Sequence, residues 1–267
     1  MKKTYSICVA NWNSANTVRR WASSLLANLS THDEVVIVDG NSKDGSEEFL
    51  ANLCRANGFK FASAKPHVGR QRELAFRLSE GDYSITHIDT DDIVVSLQEA
   101  KRLYHEVVEW DPVTGNQRAF RCWGFFIIPR WMLEGIGGYP DLRFYEDQLV
   151  AYRLASRNQL TQSLEVSAIA RGRDPKKQRF TFRLRYSVRR IREGLRLGIF
   201  DARNAQGFLL FPPAWLGSLP LAHYEFRKDW WNLDVNRNEY ILPWIDREHL
   251  SPRLLIEEIE RARPALT

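Results

Sequence analysis

Short β-branched runs and helical stripes take turns through the first 110 residues, and this alternation constrains the fold more than any other feature of the chain. Thr4–Ala10 reads as a buried strand. Thr17–Leu29 follows with Val18, Trp21, Ala22, Leu25, Leu26 and Leu29 apolar, the spacing of a helix that lays one face on a sheet. Glu34–Asp39 is a second strand that closes on a carboxylate and Gly40. Ser46–Asn57 repeats the helical stripe through Phe49, Leu50, Leu53 and Cys54, with Gly58 as its stop. Lys60–Ala62 reads as a third strand, Arg70–Glu80 as a helix, Tyr83–Ile88 as a fourth strand and Leu97–Trp110 as a helix. Strands separated in this way predict an α/β domain, a mostly parallel sheet flanked by helices. In such sheets ligands gather beyond the carboxyl ends of the strands, so the residues just after each strand are where chemistry is expected.

Three of those strand ends are polar. They read Ala10-Asn11-Trp12-Asn13, then Asp39-Gly40-Asn41-Ser42-Lys43-Asp44-Gly45, then Asp89-Thr90-Asp91-Asp92. Three carboxylates within four residues at the end of an apolar strand are costly unless something positive neutralises them. A hard divalent cation with oxygen ligands, shared with a diphosphate, would do so. A solvated turn whose Asp caps the next helix is the other reading of the same residues. Further on, Glu146-Asp147 opens a helical stretch, EDQLVAYRLA, where two acids suit the positive end of the helix dipole. The six histidines form no metal-ligand spacing, and neither G-x-S-x-G, G-x-G-x-x-G nor a P-loop is present.

Composition narrows the class. With 44% hydrophobic and 27% charged residues, the 267-residue chain is globular rather than disordered or collagenous. Cys8, Cys54 and Cys122 are too few and too scattered for a disulfide framework, which points to a reducing compartment. Met1-Lys2-Lys3-Thr4 leads straight into a strand without an apolar leader, so a cytoplasmic protein is expected. Charge is unevenly spread. Residues 171–203 hold 12 Lys/Arg against 3 Asp/Glu, while the remainder holds 26 against 30. A boundary is therefore expected near Ala170–Pro175, with residues 1–170 as one domain and 171–267 as a partly helical, basic C-terminal extension. Within it, Gln178–Leu197 places Leu184, Val188, Ile191 and Leu195 on one face amid arginines. That pattern suits a helix drawn to an anionic membrane surface, or one packed on the domain with a solvated arginine face. The apolar run Gly207–Ala222 contains Pro212, Pro213 and Pro220, which argues against a regular spanning helix. Trp230, Trp231 and Trp244 precede a helix-compatible stretch, Pro252–Arg263, and line an acceptor groove or fill a small core.

Taken in order, these elements resemble glycosyltransferase family 2, inverting enzymes of the GT-A fold that use nucleotide-diphosphate sugars. The family's succession of motifs is matched by Ala10–Asn13, Asp39–Ser46, Arg72, Gly81-Asp82-Tyr83, Asp89–Asp92, Gly137-Gly138-Tyr139 and Glu146-Asp147. The match spans residues 4–156. It departs where Ala10-Asn11-Trp12 replaces the usual Pro-Thr-Tyr, Gly40 replaces a frequent Asp, and Glu73 replaces the Asn that usually follows the arginine. The resemblance implies that Asn11 and Trp12 contact the nucleotide and that Asp39 hydrogen-bonds the base. It further implies that Asp91, with Asp89, ligates Mn²⁺ or Mg²⁺ across the two phosphates, and that Arg70 and Arg72 lie on the diphosphate side. Asp147 would be the general base for the acceptor hydroxyl, with Glu146 as second choice. The implied partners are a nucleoside-diphosphate sugar donor and a glycan or lipid-linked acceptor, and no nucleic acid is expected. Two rivals are a sugar-phosphate nucleotidyltransferase and a non-catalytic basic protein that binds lipid headgroups or nucleic acid. The first would want a Gly-rich loop after the first strand, and Ala10–Ala15 contains no Gly; the second leaves the ordered carboxylates unexplained.

Overall fold

The computed structural model describes residues 3–122, 125–163, 169–170, 186, 188–190 and 193. Most of the basic segment, the run Gly207–Ala222 and the tail Trp230–Arg263 lie outside the described residues. Those described belong to two compact units, one containing Met1–Leu142 and Glu146–Arg173, the other Arg143–Tyr145 and the residues from Asp174 to His249.

The first unit is built on a seven-stranded sheet. Its strands are β1 (Tyr5–Asn11), β2 (Asp33–Asp39), β3 (Lys60–Ser63), β4 (Tyr83–Thr86), β6 (Ala119–Cys122), β7 (Phe125–Pro129) and β8 (Leu160–Ser163), in the spatial order β3-β2-β1-β4-β7-β6-β8. A two-stranded sheet pairs β5 (Ile93–Val94) with β9 (Ile169–Ala170). Only β7 runs against its neighbours in the large sheet, so the sheet is mostly parallel, as the alternation predicts. The helices are α1 (Val18–Leu26), α2 (Ser46–Asn57), α3 (Val68–Leu78), α4 (Leu97–Leu103), α5 (Arg130–Gly135) and α6 (Glu146–Ala155).

Both faces of the sheet are covered, which is why β1 and β4 are buried at nearly every position rather than at alternate ones. Ile7, Val9, Val35 and Ile37 meet Trp21 and Leu25 of α1, Leu50 of α2 and Ala100 of α4 on one face. Cys8, Val36 and Val38 turn to the other face and pack on Ala75 of α3. Beside them Phe126 and Ile128 of β7 pack with Phe76 of α3 and Val150 and Leu154 of α6. Thus α3 and α6 share one layer.

The structure corrects several expected boundaries, the first being α1, which ends at Leu26 rather than Leu29. The fourth strand stops at Thr86 rather than Ile88, because His87 takes a left-handed φ of 65° that no strand accommodates. The third helix begins at Val68, two residues early. The fourth helix is α-helical only to Leu103 and continues as a π-helical turn, Tyr104–Val108. The strands β5 to β9 show no periodicity, since each has only two to five residues.

In the second unit, Tyr186, Val188, Arg189, Arg190 and Glu193 are helical, within the expected span Gln178–Leu197. Tyr186 packs edge-on against Phe144, Arg190 sits over the Tyr145 ring, and Glu193 accepts from the Arg143 backbone N–H at 3.0 Å.

Candidate active site

The parallel register of β1 and β2 pairs Asn11 with Asp39, so the two residues leave the sheet side by side. Both are buried. Asn11 Nδ2 donates to Asp39 Oδ1 at 2.6 Å, and Thr90 Oγ1, beyond β4, donates to Asn11 Oδ1 at 2.7 Å. One amide therefore ties three strand ends together. The backbone N–H of Ser42 donates to Asp39 Oδ2 and its hydroxyl to Oδ1, each at 2.7 Å, which closes the DGNS turn. Asp39 has no solvent exposure, so a base would meet it only where this loop gives way. Trp12 is half exposed beside it. At Gly40, where Asp is frequent in the resembled family, a side chain would require Gln71 to shift. A Cβ there would meet Gln71 Nε2 at 2.8 Å and Trp12 Cδ1 at 3.1 Å.

Arg72 is the centre of the second cluster. It projects from α3, buried, and joins Glu146 at the start of α6 to Asp89, 3.0 Å from its other terminal nitrogen. Two local features create this meeting. Gly69 lets the first turn of α3 touch residues 140–142: its N–H donates to the Leu142 carbonyl at 2.9 Å, and a Cβ would fall 2.1 Å from the Pro140 oxygen. Glu73, the departure from the family's Asn, accepts from the Tyr139 N–H at 2.7 Å and so holds the Gly137-Gly138-Tyr139 strap on α3. The Tyr139 hydroxyl reaches Thr86 Oγ1 at 2.6 Å, fastening the same strap to the end of β4.

Glu146 and Asp147 differ sharply in setting. Burial pushes the Glu146 carboxyl up to about 8; the Arg72 guanidinium opposes this, and the neighbouring Asp147 charge adds to it. Burial also works against the charge on Arg72, but Glu146 and Asp89 outweigh it and keep the guanidinium protonated. Asp147 is only partly buried and pairs with Arg121 of β6 at 3.2 Å, where the guanidinium also covers the Phe126 ring.

Asp89 and Asp91 are both partly exposed, and Asp92 is buried with its Oδ2 accepting from the Asp89 N–H at 3.2 Å. Among the described residues no group of three or more His, Cys, Asp or Glu side chains forms a metal cage. Two hard oxygen ligands at an accessible strand end fit a cation held by one or two carboxylates and completed by phosphate oxygens.

Of the residues expected from sequence, Asn11 and Asp39 form one cluster, and Arg72, Asp89, Glu146 and Asp147 another, joined through Thr90 and the Asp89–Asp92 turn. Arg70 stands apart. Two positions along a helix turn the side chain to another face, and Arg70 lies exposed, 3.7 Å from Asp141. Two residues were missed. Gln71 is buried and donates to the Asn11 carbonyl at 2.6 Å; its only signal was a polar residue on the inner stripe of α3. Arg121 sits inside a four-residue apolar strand, a placement that periodicity cannot distinguish from a loop.

The fold is shared with solved glycosyltransferases. S. aureus TarS aligns over 98% of this chain at 18% identity with a TM-score of 0.52, and the chain spans about half of it, 52%. The 1–349 portion of TarS in complex with UDP aligns over 93% of this chain and 92% of its own length, at 17% identity and TM-score 0.55. The mannosyltransferase PcManGT from Pyrobaculum calidifontis, in complex with GDP-Man and Mn²⁺, covers 98% of this chain and 86% of its own length, at 14% identity and TM-score 0.55. Likenesses at this identity show the fold, which is GT-A. No curated protein sequence matches at a comparable standard. The family model described as glycosyl transferase family 2 matches residues 6–149, more than half of the chain, and the chain belongs to that family.

Proposed function

We propose that this glycosyltransferase is an inverting, metal-dependent enzyme that moves a sugar from a nucleoside-diphosphate sugar to a hydroxyl or phosphate of a glycan or lipid-linked acceptor. The observation that carries this reading is the Arg72 bridge, which draws the carboxylate after β4 and the acidic pair opening α6 into one site. Residues 1–170 are taken as the catalytic domain and 171–267 as an extension on the acceptor side.

In this reading Asn11 and Asp39 hold the loop on which the base rests, and Trp12 offers an exposed ring beside it. Asp91 and Asp89 would hold Mn²⁺ or Mg²⁺, which when bound offsets charge on the departing diphosphate. Arg72 fixes the Asp89 carboxylate and eases the burial of Glu146, which positions α6 and is the second candidate for the base. Asp147, accessible and ionisable, accepts the proton from the acceptor oxygen as that oxygen attacks the anomeric carbon. Attack on the face opposite the leaving group inverts the centre. Arg121, 3.2 Å from Asp147, steadies its carboxylate.

Thermal stabilisation by UDP and GDP, with and without Mn²⁺ or Mg²⁺, tests the donor site. Metal-dependent stabilisation that Asp91→Ala abolishes supports it; a shift indifferent to both metal and Asp91→Ala removes the metal assignment. A cytoplasmic active site rests on the cysteine usage and the start of the chain, and a membrane-surface role for residues 171–203 rests on charge. Among the described residues no helix is long and apolar enough to cross a membrane. Cosedimentation with anionic vesicles that fades as salt rises supports the surface role, and salt-independent or absent cosedimentation counts against it.

A further inference from the structure

Of the four tryptophans among the described residues, only Trp21 is buried; Trp12 flanks the donor site, and Trp110 and Trp131 are 56% and 53% exposed. Tryptophan is seldom left in water in this way, and these two share one groove. It has a volume of about 370 Å³ and is lined also by Asn116, Gln117, Asn158 and Gln159. The groove lies at the far end of the sheet from the carboxylates. Because β7 is antiparallel to β4 with Pro129 opposite Tyr83, Trp131 sits at the amino end of β4, whereas Asp89 follows its carboxyl end. Four strand residues alone separate the two ends by roughly 13 Å.

The groove is rigid. The Trp131 indole N–H donates to Gln117 Oε1 at 2.8 Å. Gln117 Nε2 in turn donates to Glu109 Oε1 at 3.0 Å, and Glu109 is itself buried against Lys3 and His105. Trp110 is paired through its backbone with Gln117. Around the base of the groove Asp111 accepts from the N–H groups of Val113 and Thr114, which sets the turn that carries Asn116. The Trp131 ring and the Trp110 backbone are thus held before any ligand arrives, which lowers the entropic cost of binding.

We infer that this groove is a second, non-catalytic binding site for the pyranose rings of a glycan. A pyranose has a flat apolar C–H face and a rim of hydroxyls that both donate and accept. Indole faces match the first, and the primary amides of Asn116, Asn158 and Gln159 match the second, Gln117 being engaged with Trp131 and Glu109. No carboxylate lines the groove, and Arg157 stands at its edge with Nη1 on the Gly135 carbonyl at 2.8 Å. The volume is at the small end of the range for ligand pockets, suited to one or two sugar rings of a longer chain. Such a site would keep a growing or long acceptor attached while its end is worked on at the opposite edge of the sheet. This consequence rests on the transferase reading, but the binding itself does not.

The test uses the full chain without donor or metal, so its failure leaves the donor-site reading untouched. Saturation-transfer NMR and calorimetry would be run with hexasaccharides of β-1,4-glucose, α-1,4-glucose, α-1,6-mannose and β-1,4-N-acetylglucosamine. At least one is expected to bind with a Kd below about 5 mM. Trp110→Ala and Trp131→Ala should each weaken it by about tenfold or more, with melting temperature and nucleotide-induced stabilisation unchanged, and Trp131→Phe should retain most of the affinity. Absence of saturable binding by all four, or equal binding by the alanine variants, overturns the assignment. So does a wild-type dimer that the alanine variants dissociate without any change in glycan binding, since the groove would then be a self-association surface.

Discussion

Replacing Arg72 with methionine would remove a buried charge that sits between two carboxylates. Arg72 and Glu146 are each 5% exposed, so Glu146 has little water to turn to. Breaking a buried pair from one side costs about 3–5 kcal/mol when the other charge stays ionised. Glu146 can instead take up a proton, and burial already favours that form. An unpaired neutral carboxyl costs less, about 1–3 kcal/mol. The deficit should therefore depend on pH, with a definite sign. A carboxyl whose folded pKa lies above its unfolded value near 4.5 keeps a proton that the unfolded chain releases. Stability accordingly falls as pH rises through that interval. Wild-type Glu146 shares that fall up to about pH 8, so Arg72→Met is expected to lose about 1–3 kcal/mol at pH 6, widening toward about 3–5 kcal/mol at about pH 9.5, where wild-type Glu146 ionises and the variant's carboxyl must ionise unpaired or keep its proton. The double variant Arg72→Met/Glu146→Leu should recover most of the loss, because an apolar pair of similar volume removes the stranded charge. Urea unfolding at the two pH values, with unchanged m-values, measures this. Turnover separates stability from chemistry: both variants should be inactive, since each also releases Asp89. If Arg72→Met stays within about 0.5 kcal/mol of wild type at both pH values, or the double variant is no more stable than the single, Arg72 does not ease the burial of Glu146.

Asp147→Asn should lower turnover by about 10²–10⁴-fold while leaving metal-dependent nucleotide binding intact; parallel loss of both would place Asp147 in donor binding instead. At the other end of the sheet, burial would raise Glu109, but hydrogen bonds from Lys3, Tyr83, His105 and Gln117 outweigh it and hold the carboxyl down to about 2. The stability this confers is present above pH 4.5 and lost as pH falls toward 2. Glu109→Gln should therefore flatten the acid limb of a melting-temperature profile between those values, and an unaltered limb would show that other carboxylates dominate acid unfolding.

Much of the fold was legible because local physics and tertiary structure agree in the first half. The apolar stripe of α2, most of that of α1, the stop at Gly58 and the carboxylate ending β2 depend on residues within a turn or two of one another, and they appear where expected, although α1 ends at Leu26. The misread boundaries have local causes that pattern cannot show. His87 adopts a left-handed backbone, Tyr104–Val108 widens into a π turn, and the short strands β5 to β8 carry too few residues for any period to emerge.

The candidate site divides in the same way. Strand ends and a helix start drew attention to Asn11, Asp39, Asp89, Asp91, Glu146 and Asp147, and the resemblance to glycosyltransferase family 2 supplied their expected roles. Which of them meet was decided by long-range packing. Gly69 permits α3 to touch the Pro140–Leu142 backbone, and Glu73 and Thr86 fasten the Tyr139 strap. Together they bring Arg72 to Glu146 across 74 positions of sequence, while Arg70, two residues away, is left on the surface. Arg121 reaches Asp147, and the rigid Trp131–Gln117–Glu109 chain forms, only once β6 and β7 are paired. Sequence specifies the strands, the helices and the acids at their ends through interactions spanning a few residues. The partners that set the charge and accessibility of those acids come from elements far apart in the chain, and only the folded sheet brings them within reach of a hydrogen bond.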